Sequence, residues 1–171
     1  MIITYVFGGK DMFETKNYAG TREENYRLLI KQLKSLLEGE TNSIANLSNA
    51  SSLLNQFLSD VNWVGFYLMD EDKELVLGPF QGLPACVRIP LGRGVCGTSA
   101  KERKTILVED VHQFPGHIAC DAASQSEIVV PIIKEGQLLG VLDIDSPSKN
   151  RFDTIDQKML EQFVDELINH L

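Results

Sequence analysis

From Thr21 the stretch TREENYRLLIKQLKSLLEG places Tyr26, Leu29, Ile30, Leu33, Leu36 and Leu37 at helical spacing, with acids early and Gly39 positioned as a stop. It predicts an amphipathic helix. A second helix is expected through Ile44, Leu47, Leu54, Phe57 and Leu58, capped by the Thr41, Asn42, Ser43 cluster. The period then changes to two: NWVGFYLM and ELVLG, joined by the polar turn DEDK, predict a hairpin. CVRIP, TILVED, EIVVPII and QLLGVLDID are further strand candidates, the last two connected at Glu135-Gly136. GVCGTSAKERK reads as a short helix, and Ile155, Met159, Phe163, Leu167 and Leu171 mark a closing one. Together these predict an α+β sandwich in which helices flank a mostly antiparallel sheet of five or six strands. A long irregular stretch near 110–126 covers one end, and loops of that length in compact domains are usually functional.

The 171 residues are enough for one core and too few for two ordinary domains, and no repeat or linker interrupts them. The first residues, MIITYVFGGKDMFET, fit none of this patterning, so 1–17 is read as an N-terminal extension and 18–171 as the domain. No apolar run approaches the ~20 residues needed to cross a bilayer, and the N-terminus lacks a secretory pattern, which predicts a cytoplasmic protein without a membrane partner. Sixteen basic against twenty-four acidic residues give a net charge of −8 with no basic block, which argues against nucleic acid.

Three segments carry candidate chemistry. GPFQGLPACVRIPLGRGVCG holds Cys86 and Cys96 among turn-permitting glycines and a proline, and HIACDAASQSEIVVP puts Cys120 in the long loop before a strand that carries Glu127. In GVLDIDS, alternation points Asp143 and Asp145 to one face of a strand and Leu142 and Ile144 to the other. Taken alone, Cys86 and Cys96, flanked by Ala and Val, read equally as small buried hydrophobes, and the aspartates as a solvated strand end. Trp63 alone reads as core. Cys120, between His117 and Asp121 in a polar stretch, fits an accessible thiol better. Three cysteines without a C-x-x-C pair suggest neither a disulfide framework nor a zinc knuckle, and His112 and His117 lack paired ligand spacing, so no metal or other cofactor is expected. LGRGVCG lacks the G-K-[ST] of a phosphate loop.

NWVGFYL, GPFQGLPACVRIPLGRGVCG, HIACDAASQSEIVVPI and GVLDIDS resemble the successive signatures of the free methionine-(R)-sulfoxide reductases, enzymes built on a GAF domain. The resemblance runs from about Tyr18 to the last helix and shows no departure at the cysteines or acids. It implies a GAF fold and reduction of free L-methionine-(R)-sulfoxide by a cysteine thiolate, through a sulfenic acid and an intramolecular disulfide reopened by thioredoxin. It also implies Cys120 as nucleophile, Cys86 as resolving thiol and Cys96 as an alternate resolver, although spacing does not rank the three. Trp63, Glu127, Asp143 and Asp145 would line the substrate site, with Asp145 nearest the sulfoxide oxygen. Crowding three carboxylic acids would keep at least one protonated at neutral pH, as a proton donor must be. The oligomeric state is left open, a homodimer included. Competing expectations are a non-catalytic GAF sensor of a small ligand, a thiol peroxidase, and a structural or partner-binding domain.

Overall fold

The computed structural model describes residues 18–71, 73–117 and 121–171. The expected extension, 1–17, and Cys120 lie outside the described residues. Helix α1 (Arg22–Leu37) starts where the sequence places it: the Thr21 hydroxyl accepts from the Glu24 N–H while the Glu24 carboxylate accepts from Thr21, a reciprocal cap. Helix α2 (Ser43–Phe57) is capped by Asn42, whose side chain accepts from the Ala45 N–H. Ile44, expected on the apolar face, is instead 67 % exposed, because it sits in the first turn beyond the reach of the sheet.

Six strands follow: β1 (Trp63–Met69), β2 (Glu74–Gly82), β3 (Arg88–Pro90), β4 (Ile106–Val108), β5 (Ser126–Lys134) and β6 (Gln137–Ser146). They form one sheet in the order β3-β2-β1-β6-β5-β4, and each neighbouring pair is antiparallel. The β5–β6 turn at Glu135-Gly136 takes positive φ at both residues, as a tight two-residue hairpin requires. Only Arg88–Pro90 of CVRIP joins the sheet, which leaves Cys86 and Val87 in the preceding loop. Between β3 and β4 lies α3 (Gly94–Glu102), and α4 (Thr154–Ile168) closes the chain. Among the described residues no helix is long and apolar enough to cross a membrane.

Alternation along the central strands divides the interior in two. Val64, Phe66, Ile128, Val130, Ile132, Leu142 and Ile144 pack against α1, α2 and α4 through Leu29, Leu33, Leu54, Leu160 and Phe163. Residues one step out of phase, Trp63, Tyr67, Val129 and Val141, face α3 through Val95, Cys96 and Ala100. The helices therefore flank both faces, three against one. A polar post pins α1 to α4: Asp156, 1 % exposed, accepts from the Tyr26 hydroxyl at 2.7 Å and pairs with Arg151 at 3.4 Å and Arg22 at 3.6 Å. Its carboxylate also caps α4 reciprocally with Asp153.

Candidate active site

Strand register assembles the site on the α3 face. Trp63 pairs with Asp145 across β1–β6, and Asp145 pairs with Glu127 across β6–β5, so the three lie side by side over three strands. Asp143 follows two residues along on the same face, opposite Gly65 and Val129. Gly65 leaves the room: a Cβ there would come within 2.3 Å of the Phe80 Cβ and 2.6 Å of the Trp63 ring, and its absence lets Trp63 stack on Phe80 with centroids 5.2 Å apart. Above the acids, α3 lowers Cys96 onto the cluster, where its Sγ lies 3.9 Å from Glu127 Oε1.

Two buried aromatics fasten the cysteine loop over this face. Trp63 Nε1 donates to the Leu83 carbonyl at 3.1 Å, and the Tyr67 hydroxyl donates to the Cys86 carbonyl at 3.0 Å. Opposite, Asn62 Nδ2 donates to Asp121 Oδ2 at 2.8 Å and Ser124 Oγ at 3.0 Å, anchoring the loop that follows position 120. The result is a cavity of about 30 Å³ whose walls include Trp63, Tyr67, Cys96, Glu127, Asp143 and Asp145. His117, Asp121, Ser124 and Arg93 line it as well. That volume holds a water or two, so a larger ligand enters only if the flanking loops shift.

The electrostatics are unusual. Glu127 and Asp143 are 5 % and 6 % exposed, which excludes the solvated strand end that the sequence alone allowed. Burial, then the charges of Asp143 and Asp145, push the Glu127 carboxyl well above the ordinary range. Burial, followed by Asp143 and Asp121, does the same to Asp145. Asp143 rises only to about 6, because the Cys96 and Glu127 side chains and the Ile144 backbone N–H offset part of the effect of burial. Asp143 is therefore the least perturbed of the three acids, and Glu127 and Asp145 hold their protons more tightly than ordinary carboxyls do. Asp143 Oδ1 is nonetheless left without a hydrogen-bond partner. Burial and the neighbouring acids also push the Cys96 thiol far up, so it stays protonated and unreactive.

All the expected site residues within the described chain except Cys86 line this cavity, and Cys86 sits half-buried in the loop at its edge. Cys86 is disulfide-bonded and Cys96 is free, so the structure represents an oxidised state. The cavity also holds Tyr67, Asn62's partner Asp121, and His117, none of which the sequence singled out as site residues. For Tyr67 a signal existed: it lies four residues after Trp63 at strand period, hence on the same face. Cys96, Glu127 and Asp143 bring a sulfur and two carboxylate oxygens within 4.8 Å of one another, a set able to hold a metal ion.

Comparison with known proteins gives a consistent picture. Residues 47–168 match the GAF domain family. The chain is 61 % identical to protein YtsP of Bacillus subtilis, over 91 % of this chain and 96 % of that one. It is 53 % identical to the free methionine-R-sulfoxide reductase of Escherichia coli, over 85 % and 88 %. The structure of free methionine-R-sulfoxide reductase from Neisseria meningitidis, determined in complex with its substrate, superposes with a TM-score of 0.88 at 42 % identity, covering 93 % of this chain and 95 % of that one.

Proposed function

Because the chain belongs to the free methionine-R-sulfoxide reductases, a family built on the GAF domain, we propose that it reduces free L-methionine-(R)-sulfoxide to methionine by thiol chemistry. The observation that carries this reading is the placement of a disulfide-bonded Cys86 at the edge of a cavity lined by buried acids whose carboxyls burial pushes above the ordinary range. A sulfoxide oxygen leaves only if protonated, and a thiolate must reach the sulfur.

In the reduced enzyme the Cys120 thiolate attacks the sulfoxide sulfur while Asp145, whose hold on a proton is strengthened by burial, donates that proton to the oxygen. The S–O bond breaks, the oxygen is transferred to Cys120 as a sulfenic acid, and the sulfur is reduced by two electrons to the thioether. The Cys86 thiol then displaces water from the sulfenic acid and closes a disulfide with Cys120. A thioredoxin dithiol restores the two thiols, which suits a reducing, cytoplasmic setting. Asp143, the least perturbed of the acids, receives the free α-ammonium, with Glu127 beside it, and the stacked Trp63 ring forms a wall for the thioether methyl. Cys96, protonated where it lies, serves as a donor to the acids in this state, and its use as an alternate resolver would require the neighbouring charge to be removed. The catalytic unit is taken as 18–171, since Tyr18 already packs on Phe57 and donates to Gln32 at 2.6 Å.

N-acetylation of the substrate tests the assignment. It removes the ammonium charge and leaves the sulfoxide intact, so a buried Asp143 would lose its partner and kcat/KM should fall by ~10⁴. Comparable kcat/KM for the free and acetylated R-sulfoxides would show that the carboxylates do not read the amino group.

A further inference from the structure

The acid cluster that would receive the substrate also offers a donor set for a metal ion when substrate is absent. Cys96 Sγ and one oxygen each from Glu127 and Asp143 lie within 4.8 Å of one another, contributed by α3, β5 and β6. His117 Nε2 stands 3.8 Å from Glu127 Oε2, on the loop side of the same cavity. Asp143 is 6 % exposed, yet its Oδ1 has no hydrogen-bond partner. A buried carboxylate oxygen left unpaired is costly unless something enters to meet it. Among the described lining residues the one fixed cation, Arg93, is exposed. Nothing described inside the cavity balances the negative charge.

We propose that Cys96, Glu127, Asp143 and His117 form a binding site for a zinc-type divalent cation within this cavity. The donor chemistry selects the ion. One thiolate, one imidazole and two carboxylates suit a borderline-soft metal, whereas calcium takes six to eight oxygens and magnesium keeps much of its water. The geometry is near what four-coordination needs. Zinc bonds of ~2.0–2.3 Å in a tetrahedron separate neighbouring donor atoms by about 3.3–3.8 Å. Cys96, Glu127 and Asp143 offer donor atoms within 4.8 Å of one another, with Cys96 Sγ 3.9 Å from Glu127, so contraction of about 1–1.5 Å closes these three around an ion, and His117, 3.8 Å from Glu127 on the loop side, turns inward to supply the fourth donor. On binding, the Cys96 S–H gives up its proton to solvent and the sulfur ligates as thiolate, and no oxidation accompanies the step. The site is built from its own donors and stands whether or not the sulfoxide reading does; where both hold, cation and substrate compete for one cavity.

The disulfide makes the test clean. In the oxidised protein Cys86 is occupied and Cys96 is a free thiol, so a thiolate–metal signal is tied to Cys96 by substitution. Cobalt(II) is titrated into the oxidised full chain, after chelator treatment, as a spectroscopic stand-in for zinc. The expected result is one equivalent bound, with a near-ultraviolet sulfur-to-cobalt charge-transfer band, strong tetrahedral visible bands, and loss of both when zinc is added. Cys96→Ser should abolish the charge-transfer band. Glu127→Gln should keep the band but weaken affinity more than about tenfold, because even groups that merely orient a ligand cost that much when removed. Glu127→Gln also serves if Cys96→Ser does not fold. The absence of a charge-transfer band in the oxidised protein, its survival in Cys96→Ser, or unchanged affinity in Glu127→Gln would overturn the proposal.

Discussion

Replacing Asp143 by Asn should stabilise the protein, and the gain should grow with pH. Burial raises the Asp143 carboxyl from 3.8 to about 6, so between these values the folded chain holds a proton that the unfolded chain has released. Stability therefore falls as pH rises through that window and levels off above it. With ~1.4 kcal/mol for each tenfold change in proton affinity, the buried charge costs about 1 kcal/mol at pH 4.5 and about 3 kcal/mol at pH 7.5. Asn keeps the shape and removes the charge. Its own packing cost is independent of pH, so the informative quantity is the growth in the stability difference, about 2 kcal/mol from pH 4.5 to 7.5. For a chain of this length the full 3 kcal/mol corresponds to about 6–12 °C in Tm. Urea unfolding of both proteins at the two pH values, with the disulfide intact and chelator present, measures it. A stability difference that stays constant with pH would show that Asp143 is not a buried charge, and the division of roles among the three acids would fail with it.

Three further outcomes follow from the same structure. Cys120→Ser should abolish reduction even in a single turnover, while Cys86→Ser should complete one turnover, lose recycling by thioredoxin, and retain a sulfenic acid on Cys120 detectable by mass spectrometry; full single-turnover activity in Cys120→Ser would move the nucleophile elsewhere. Asp156→Ala should destabilise by roughly 2–4 kcal/mol in urea unfolding, because it strands the buried Tyr26 hydroxyl and removes the carboxylate that accepts from the Asp153 N–H at the start of α4; a loss under about 0.5 kcal/mol would mean the post is dispensable. Gly65→Ala should cost roughly 1–3 kcal/mol, since the new Cβ collides with Phe80 and Trp63, and it should raise KM by disturbing the Trp63 wall; normal stability and KM would show that the stack tolerates displacement.

The elements were legible because each has its own period and punctuation. Thr21 with Glu24, Asn42, and Glu135-Gly136 are local signals, and local hydrogen bonds realise them. Alternation in GVLDIDS likewise put Asp143 and Asp145 opposite Leu142 and Ile144, and the sheet obeys it. Whether those aspartates meet solvent or a cavity depends on α3 and two loops, which are distant in sequence. Register was also hidden: nothing near Glu127 says that it will sit beside Asp145 and Trp63, since that follows from antiparallel pairing across β5, β6 and β1. The sequence shows no paired histidine or cysteine spacing, and the Cys96, Glu127 and Asp143 set that the fold brings within 4.8 Å comes from three separate elements, a grouping that spacing does not reveal. Ile44 misled for a different reason: it follows the helical period but lies on an exposed first turn.

The most direct test of the central claim offers the two separated epimers of free methionine sulfoxide to the reduced protein, with thioredoxin, its reductase and NADPH, and follows NADPH oxidation. The account predicts sustained turnover of the R epimer and little of the S epimer, because the thiolate must reach sulfur from the side opposite an acid-bound oxygen. Equal turnover of the two epimers, turnover of neither, or consumption of hydrogen peroxide in their place would contradict it.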